Sequence, residues 1–178
     1  MPTDEETLKR DKLLLDLMIH VYDEDVARNE LVDSKNCQMI VLTGVMLTLQ
    51  ATFFTELLVN QFLLNNMVSH DVKLILSGVM LISMLLYICS LVIFINAYAF
   101  NKTFGSSPHP KELLDKVKEN HSIKKVQRNS LFDFNKTINY NYCIIDDKIN
   151  KGKLGFIILT VAGISTLLFL VLVILYLI

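Results

Sequence analysis

The sequence predicts an all-α integral membrane protein, in which three transmembrane helices and cytoplasmic amphipathic helices form a helical bundle. Three stretches of at least twenty residues contain no charged side chain. Twenty helical residues span about 30 Å, the thickness of a bilayer's hydrocarbon core. The 178-residue chain is also 52% hydrophobic, and its mean hydropathy of +0.44 is too high for an ordinary soluble domain.

The charge distribution predicts the topology. The two long polar segments contain five and eleven basic residues, whereas the link between the first two apolar stretches contains only Lys73. By the positive-inside rule both long segments lie in the cytoplasm, so the N-terminus is predicted to be cytoplasmic and the C-terminus external. The expected order is cytoplasmic helix, span, external loop, span, cytoplasmic helical segment and span, over 1–35, 36–64, 65–73, 74–101, 102–153 and 154–178.

The N-terminal segment is predicted to be one amphipathic helix that continues into the first span. Thr3 is a suitable N-cap, and the acidic residues after it favour a helix start. No proline or glycine follows before Gly44, so nothing predicts a break. Apolar residues recur at helical spacing, namely Leu8, Leu15, Met18, Ile19, Tyr22, Val26 and Val32.

A charged group directly precedes the first span and has two open interpretations. Its members are Arg28, Glu30, Asp33 and Lys35. They form either a solvated helix face, whose ion pairs contribute little, or a contact with the basic segment 102–153. In such a contact, opposite charges determine how the two segments are oriented more than how tightly they bind.

Polar residues in the first span form a candidate functional face made of Gln50, Glu56 and Asn60. A bare carboxylate inside a bilayer costs about 2.5 kcal/mol or more. Glu56 therefore either lies at the wet interface or faces other helices, where it lines a polar seam or pore with Gln50 and Asn60. The sequence leaves both interpretations open.

Small residues mark a candidate packing stripe on the second span. Ser83, Ser90 and Ala97 recur every seven residues, and Gly78 lies near the same edge. Small side chains let helix backbones approach closely in lipid. The stripe therefore predicts a helix contact, either within the chain or with another copy.

The second cytoplasmic segment is also predicted to be helical. A break rich in turn residues spans 104–110, a short helix covers 111–120, and an apolar stripe follows, made of Leu131, Phe134, Ile138, Tyr142, Ile145 and Ile149. The two cytoplasmic stripes are best buried against each other or against further copies, as a bundle beneath the membrane.

No residue pattern predicts catalysis, a metal or a cofactor. Cys37, Cys89 and Cys143 are scattered, which argues against a disulfide framework and a zinc site. No Ser/His pair, paired acids or His cluster lies at one depth in the spans, so an intramembrane enzyme is the weakest of three functional classes. The net charge of −1 and the lack of aromatic–basic interleaving argue against nucleic-acid binding.

The pattern Arg28-x-Glu30-Leu-Val-Asp33-Ser-Lys35, followed by Thr43-Gly44-Val-Met-Leu-Thr48, resembles the first-span entry of small prokaryotic SLATT and Pycsar-type transmembrane effectors. The resemblance covers residues 27–101. Asn36 and Cys37 replace the small residue usual after the Lys, and this chain has a third span.

The resemblance implies an antiviral-defence effector, in which a cytoplasmic signal, often a cyclic nucleotide, rearranges the spans and breaches the membrane. On that basis Asp33 and Lys35 couple the cytoplasmic bundle to the first span, and copies associate around Gln50, Glu56 and Asn60. The expected function is thus a small oligomeric membrane protein that permeabilises the bilayer on a cytoplasmic protein or nucleotide signal. The alternative is a non-catalytic accessory or structural subunit of a larger membrane complex.

Overall fold

The residues that the structure describes form three long helices. The computed structural model describes residues 4–59, 70–99, Gly105 and 123–177. The helices are α1 (Asp4–Val59), α2 (His70–Ala99) and α3 (Ile123–Leu177), and the described residues contain no strand. Each helix is long and apolar enough to cross a membrane. The all-helical prediction is confirmed for these residues. The predicted loop at 65–73 is described only from His70 onward, and those residues already belong to α2. The predicted short helix at 111–120 lies outside the described residues.

Helix α1 continues without interruption from the charged N-terminal segment into the first apolar stretch. The sequence predicted this continuity from the lack of proline and glycine before Gly44. Gly44 itself lies inside the helix, which is tolerated because a single glycine costs only about 1 kcal/mol relative to alanine.

Helix α3 is longer than either segment that the sequence suggested. It joins the predicted cytoplasmic helix and the third predicted span into one helix of 55 residues, so the Lys-Gly-Lys sequence at 151–153 is not a helix boundary. Gly152 lies inside α3, where an added Cβ would be 2.9 Å from Asn36 Oδ1. The glycine thus permits a close contact between helices rather than a turn.

Contacts divide the chain into two compact units. Unit 1 comprises Met1–Val32 and Asn101–Asp147, and unit 2 comprises Asp33–Phe100 and Lys148–Ile178. The division falls close to the boundaries that hydropathy predicts between the polar segments and the apolar spans. Helices α1 and α3 each contribute to both units, whereas α2 belongs to unit 2.

In unit 2, α1 and α3 run parallel to each other and antiparallel to α2, as their bonded residue pairs show. Buried positions on all three helices recur every seven residues. A seven-residue period keeps one face of each helix against its neighbours. The recurring buried residues are Asn36, Thr43 and Gln50 on α1, Leu76, Ser83, Ser90 and Ala97 on α2, and Gly155, Ala162 and Phe169 on α3.

Unit 2 buries polar groups and exposes apolar ones. Its interior includes Thr43, Ser83 and Ser90, which are fully buried, together with two small apolar clusters centred on Tyr87 and Phe94 and on Met80 and Phe169. Its surface is formed largely by Leu, Ile, Val and Phe side chains, among them Leu85, Leu167 and Leu175. A surface made of so many large apolar side chains is unlike that of a soluble domain, which buries most of them.

Unit 1 joins the N-terminal half of α1 to the first half of α3. The rings of Tyr22 and Phe134 pack edge to face with centroids 6.1 Å apart. The buried Asn141 side chain accepts a hydrogen bond from Gly105 N at 2.7 Å and donates one to Gly105 O at 3.2 Å. Tyr22 donates to the same carbonyl. One asparagine therefore satisfies both backbone groups of a glycine beyond the helices, which ties that residue to α1 and α3.

Replacement of Gly155 by alanine is expected to destabilise the protein by about 1–3 kcal/mol, the usual cost of overpacking. An added Cβ would lie 3.0–3.1 Å from three atoms of the Phe94 ring, which is itself buried. Gly78→Ala is the matched control, because nothing lies within 4 Å of its added Cβ. The melting temperature of each variant in one detergent measures the difference, and equal losses in both would contradict the packing argument.

Candidate functional site

The candidate site is a polar column on α1 formed by Asn36, Thr43 and Gln50, which are buried at seven-residue spacing. Fourteen residues of helix rise about 21 Å, so the column extends through much of unit 2. Its groups are neutral amides and a hydroxyl, which both donate and accept hydrogen bonds.

Gln50 lies at the centre of a hydrogen-bond network that joins all three helices. Its side chain is only 2% exposed. The amide nitrogen donates to Ser83 Oγ of α2 at 2.6 Å and to Thr166 Oγ1 of α3 at 3.2 Å. The two hydroxyls are 2.8 Å apart, and each is within bonding distance of the Ala162 carbonyl oxygen. The network therefore fixes the register of α1, α2 and α3 together.

Two polar atoms of the column are buried without a hydrogen-bond partner among the described residues. They are Gln50 Oε1 and Asn36 Nδ2. Leaving such an atom unsatisfied costs about 1–3 kcal/mol. Thr43 avoids this cost by donating to the Met39 carbonyl of its own helix at 2.6 Å. The column thus combines satisfied and unsatisfied polar groups within one apolar unit.

The predicted packing stripe on α2 faces α3 of the same chain. Ser83 and Ser90 donate to the carbonyls of Ala162 and Gly155, at 3.2 and 2.9 Å, and Ala97 is also buried. Gly78 differs, because nothing lies within 4 Å of the position of its missing Cβ. The carbonyl contacts explain why serine occupies two positions where alanine would also fit.

The structure brings only part of the predicted functional face together. Gln50 contacts α2 and α3 of its own chain rather than an outer surface on which copies meet. The side chain of Glu56 and the whole of Asn60 lie outside the described residues. Sequence reasoning missed Asn36 and Thr43 as members of the same face as Gln50, although their seven-residue spacing was available as a signal.

The charged group before the first span is divided between the two units. In unit 2, Lys148 Nζ donates to both carboxylate oxygens of Asp33, at 2.8 and 2.9 Å. The two side chains are 13% and 27% exposed. In unit 1, the Arg28 guanidinium lies 5.8 Å from the centroid of the Tyr142 ring, whereas Glu30 and Lys35 are exposed. Asp33 and Arg28 therefore both contact residues of segment 102–153.

Asp25 is a buried carboxyl in unit 1, outside the predicted spans. Its Oδ2 atom has no hydrogen-bond partner among the described residues. Burial raises the pKa of Asp25 above its ordinary value of 3.8, the nearby charge of Arg28 lowers the pKa, and that of Glu24 raises it. As the pH rises, Asp25 loses its proton at a lower pH in the unfolded chain than in the folded one. The neutral carboxyl of Asp25 therefore makes its full contribution to the free energy of unfolding below pH 3.8, and this contribution is lost as the pH rises through the folded-state pKa.

The chemistry available at these residues is hydrogen bonding and charge pairing. Among the described residues, no three His, Cys, Asp or Glu side chains are grouped as metal ligands would be. The polar column offers amide and hydroxyl groups that orient water or dipoles inside an apolar unit. Asp33 and Lys148 are the first residues of the α1 and α3 segments of unit 2, and they place opposite charges there.

A double-mutant cycle on Asp33→Asn and Lys148→Gln is expected to give a coupling free energy of about 1 kcal/mol. Partial exposure of both side chains reduces the value below that of a fully buried pair. The exposed Glu5 and Lys9 pair, 3.4 Å apart on one helix, is the control and should couple less strongly. Additive effects of the two unit 2 substitutions on the unfolding free energy would show that the contact contributes nothing.

Asp25→Asn is expected to raise the melting temperature at pH 7, because the neutral amide avoids the cost of a buried carboxylate. The gain should shrink as the pH falls through the folded-state pKa of Asp25, since the wild-type carboxyl then becomes neutral too. Glu30→Gln at an exposed position of the same helix controls for the loss of one negative charge. A gain that stays constant from pH 7 to below 3.8 would contradict this account.

The chain matches no protein-family model, and no curated protein and no solved structure matches it. The candidate site is accordingly defined by the contacts of this chain's own residues.

Proposed function

We propose that the chain is an integral membrane protein whose three helices cross the bilayer as unit 2. The observation that carries this proposal is the surface of unit 2, which consists largely of exposed Leu, Ile, Val and Phe side chains. Contiguous apolar surface of this extent is not tolerated in water. In lipid it costs nothing, and helices associate instead through small residues and hydrogen bonds between them.

The contacts of unit 2 agree with packing in lipid. Ser90 of α2 donates a hydrogen bond to the carbonyl oxygen of Gly155. Gly155 and Ala162 are buried small residues of α3. Hydrogen bonds between helices in membranes are worth about 0.6 kcal/mol on average. The network around Gln50 contributes such bonds to all three helices at once.

The activity that this arrangement supports best is non-catalytic membrane permeabilisation by several copies on a cytoplasmic signal. In the structure the polar column is turned inward, and two of its polar atoms lack partners among the described residues. Rearrangement of the helices relieves that cost by letting water reach Asn36 and Gln50. The sequence resemblance to SLATT and Pycsar-type effectors supports a cytoplasmic trigger, and the Asp33 and Lys148 pair lies where α1 and α3 enter unit 2.

An accessory subunit of a larger membrane complex is the second candidate function. The exposed apolar side chains of unit 1, such as Leu13, Leu17 and Phe132, favour it, because they lie outside the predicted spans and suit a protein partner. This function predicts that the chain co-purifies with a different protein at a fixed ratio.

Gln50→Leu is expected to weaken permeabilisation severalfold, because leucine offers no hydrogen bonds to water along the column. Cells that overexpress the wild-type chain should take up propidium iodide, and the Gln50→Leu variant should reduce the rate of uptake severalfold. Thr52→Leu is the matched control, since Thr52 is exposed two residues away and donates only to the Thr48 carbonyl of its own helix.

Membrane insertion is measured on the same cells by extraction with alkaline carbonate, which should leave all three proteins in the membrane pellet. Release of the wild-type chain by carbonate would contradict the membrane proposal itself. Retention without any dye uptake would contradict permeabilisation and favour the accessory subunit.

A further inference from the structure

We propose that copies of the chain associate side by side through unit 1, with the outer face of α1 in one copy against the outer face of α3 in the next. This inference rests on the proposed function, because insertion into one bilayer holds the copies parallel and at the same height. The contact uses exposed apolar residues at the centre of each face and opposite charges around them.

The α1 face is apolar at its centre and acidic around it. Leu13 and Leu17 are 68% and 54% exposed and lie one turn apart, on the side of α1 opposite to Asp11, Asp25 and the other buried positions. The exposed acids on this side of the helix are Asp16 and Glu24, and Glu24 lies 3.3 Å from His20 of the same face. The sequence from 13 to 24 contains no Lys or Arg.

The α3 face has an aromatic centre and basic surroundings. Phe132 is 70% exposed and points away from the side of α3 that carries the buried residues Ser130, Phe134 and Asn141. Lys125, Arg128 and Lys136 are exposed on this outer side. The face therefore complements the acidic α1 face in charge and offers an aromatic group to its leucines.

The two faces also lie at the same height. Within unit 1, Tyr22 packs on Phe134 and Arg28 on Tyr142, so each α1 residue is level with the α3 residue 112 to 114 positions later. By that register Asp16 is level with Arg128, and Glu24 with Lys136. Leu17 and Phe132 differ by only about 3 Å in height.

Charge excludes the symmetric alternatives. If two α1 faces met, Asp16 and Glu24 of one copy would lie close to the same residues of the other copy. If two α3 faces met, Arg128 and Lys136 would do the same. Like charges across an interface are unfavourable and suppress the wrong pairing. The contact is therefore head to tail, so that each added copy exposes a fresh face until a ring closes.

The test is a disulfide cross-link between two differently tagged copies that are coexpressed in membranes. Cys37, Cys89 and Cys143 are first replaced by serine. One copy then carries Leu17→Cys and the other Phe132→Cys. Oxidation should join the two tags, whereas either variant expressed alone should form no cross-link. Ile19→Cys, at an exposed position on the opposite side of α1 from Leu17, replaces Leu17→Cys as the control and should give none.

A second readout is the mass of the detergent-solubilised protein by light scattering. Leu17→Asp and Phe132→Asp should each reduce the wild-type oligomer to a monomer. A mixture of the two variants should give a dimer, because each retains the face that the other has lost. Cross-links between two Leu17→Cys copies, or an oligomer unaffected by both aspartate variants, would overturn the interface.

Carbonate extraction of the same membranes separates the two proposals. Embedded protein that forms no cross-link between the two tags overturns the interface and leaves the membrane proposal intact. Release of the wild-type chain by carbonate overturns the membrane proposal, and with it the interface that depends on parallel insertion.

Discussion

The hydrogen bonds from Gln50 to Ser83 and Thr166 are the constraint on which the rest of unit 2 depends. They are the one described point at which side chains of α1, α2 and α3 meet in a single network. Apolar contacts alone do not specify register in lipid, because lipid tails satisfy an apolar side chain as well as a neighbouring helix does. A buried amide does specify it, since a shift of one residue would move the amide away from both hydroxyls.

Small residues make that network reachable. The Phe94 ring packs against Gly155, and the Asn36 amide packs against Gly152. A Cβ atom at either glycine would lie too close to that neighbour. Serine at positions 83 and 90 combines small size with a hydroxyl that bonds a backbone carbonyl across the interface. The seven-residue period thus places small residues, which allow the helices to approach closely, on α2 and α3. The same period places polar residues on α1, so that close packing and hydrogen bonding occur at the same helix contacts.

Hydropathy was sufficient to predict three helices that are long and apolar enough to cross a membrane. Local sequence also predicted the uninterrupted α1, because proline and glycine act locally. The continuity of α3 was missed, since the role of Gly152 depends on Asn36, more than a hundred residues away. The partners of Gln50 and Ser83 were likewise beyond reach, because a periodic pattern shows which residues share a face but not which helix that face meets. For Asp33, charge offered a contact with segment 102–153 as one of two interpretations, but it did not single out Lys148.

The placement of polar groups in unit 2 links its stability to the proposed activity. Gln50 stabilises the arrangement through its nitrogen and costs free energy through its unpartnered oxygen, and Asn36 carries a similar cost. A bundle held by such groups is less stable than one with an entirely apolar interior. It can, however, adopt a second arrangement of its helices in which water or new partners form hydrogen bonds with these groups. The residues that fix the register of the three helices in the described arrangement are therefore also those that favour its rearrangement. Contacts between copies through unit 1 then have to offset the hydrogen bonds that are broken.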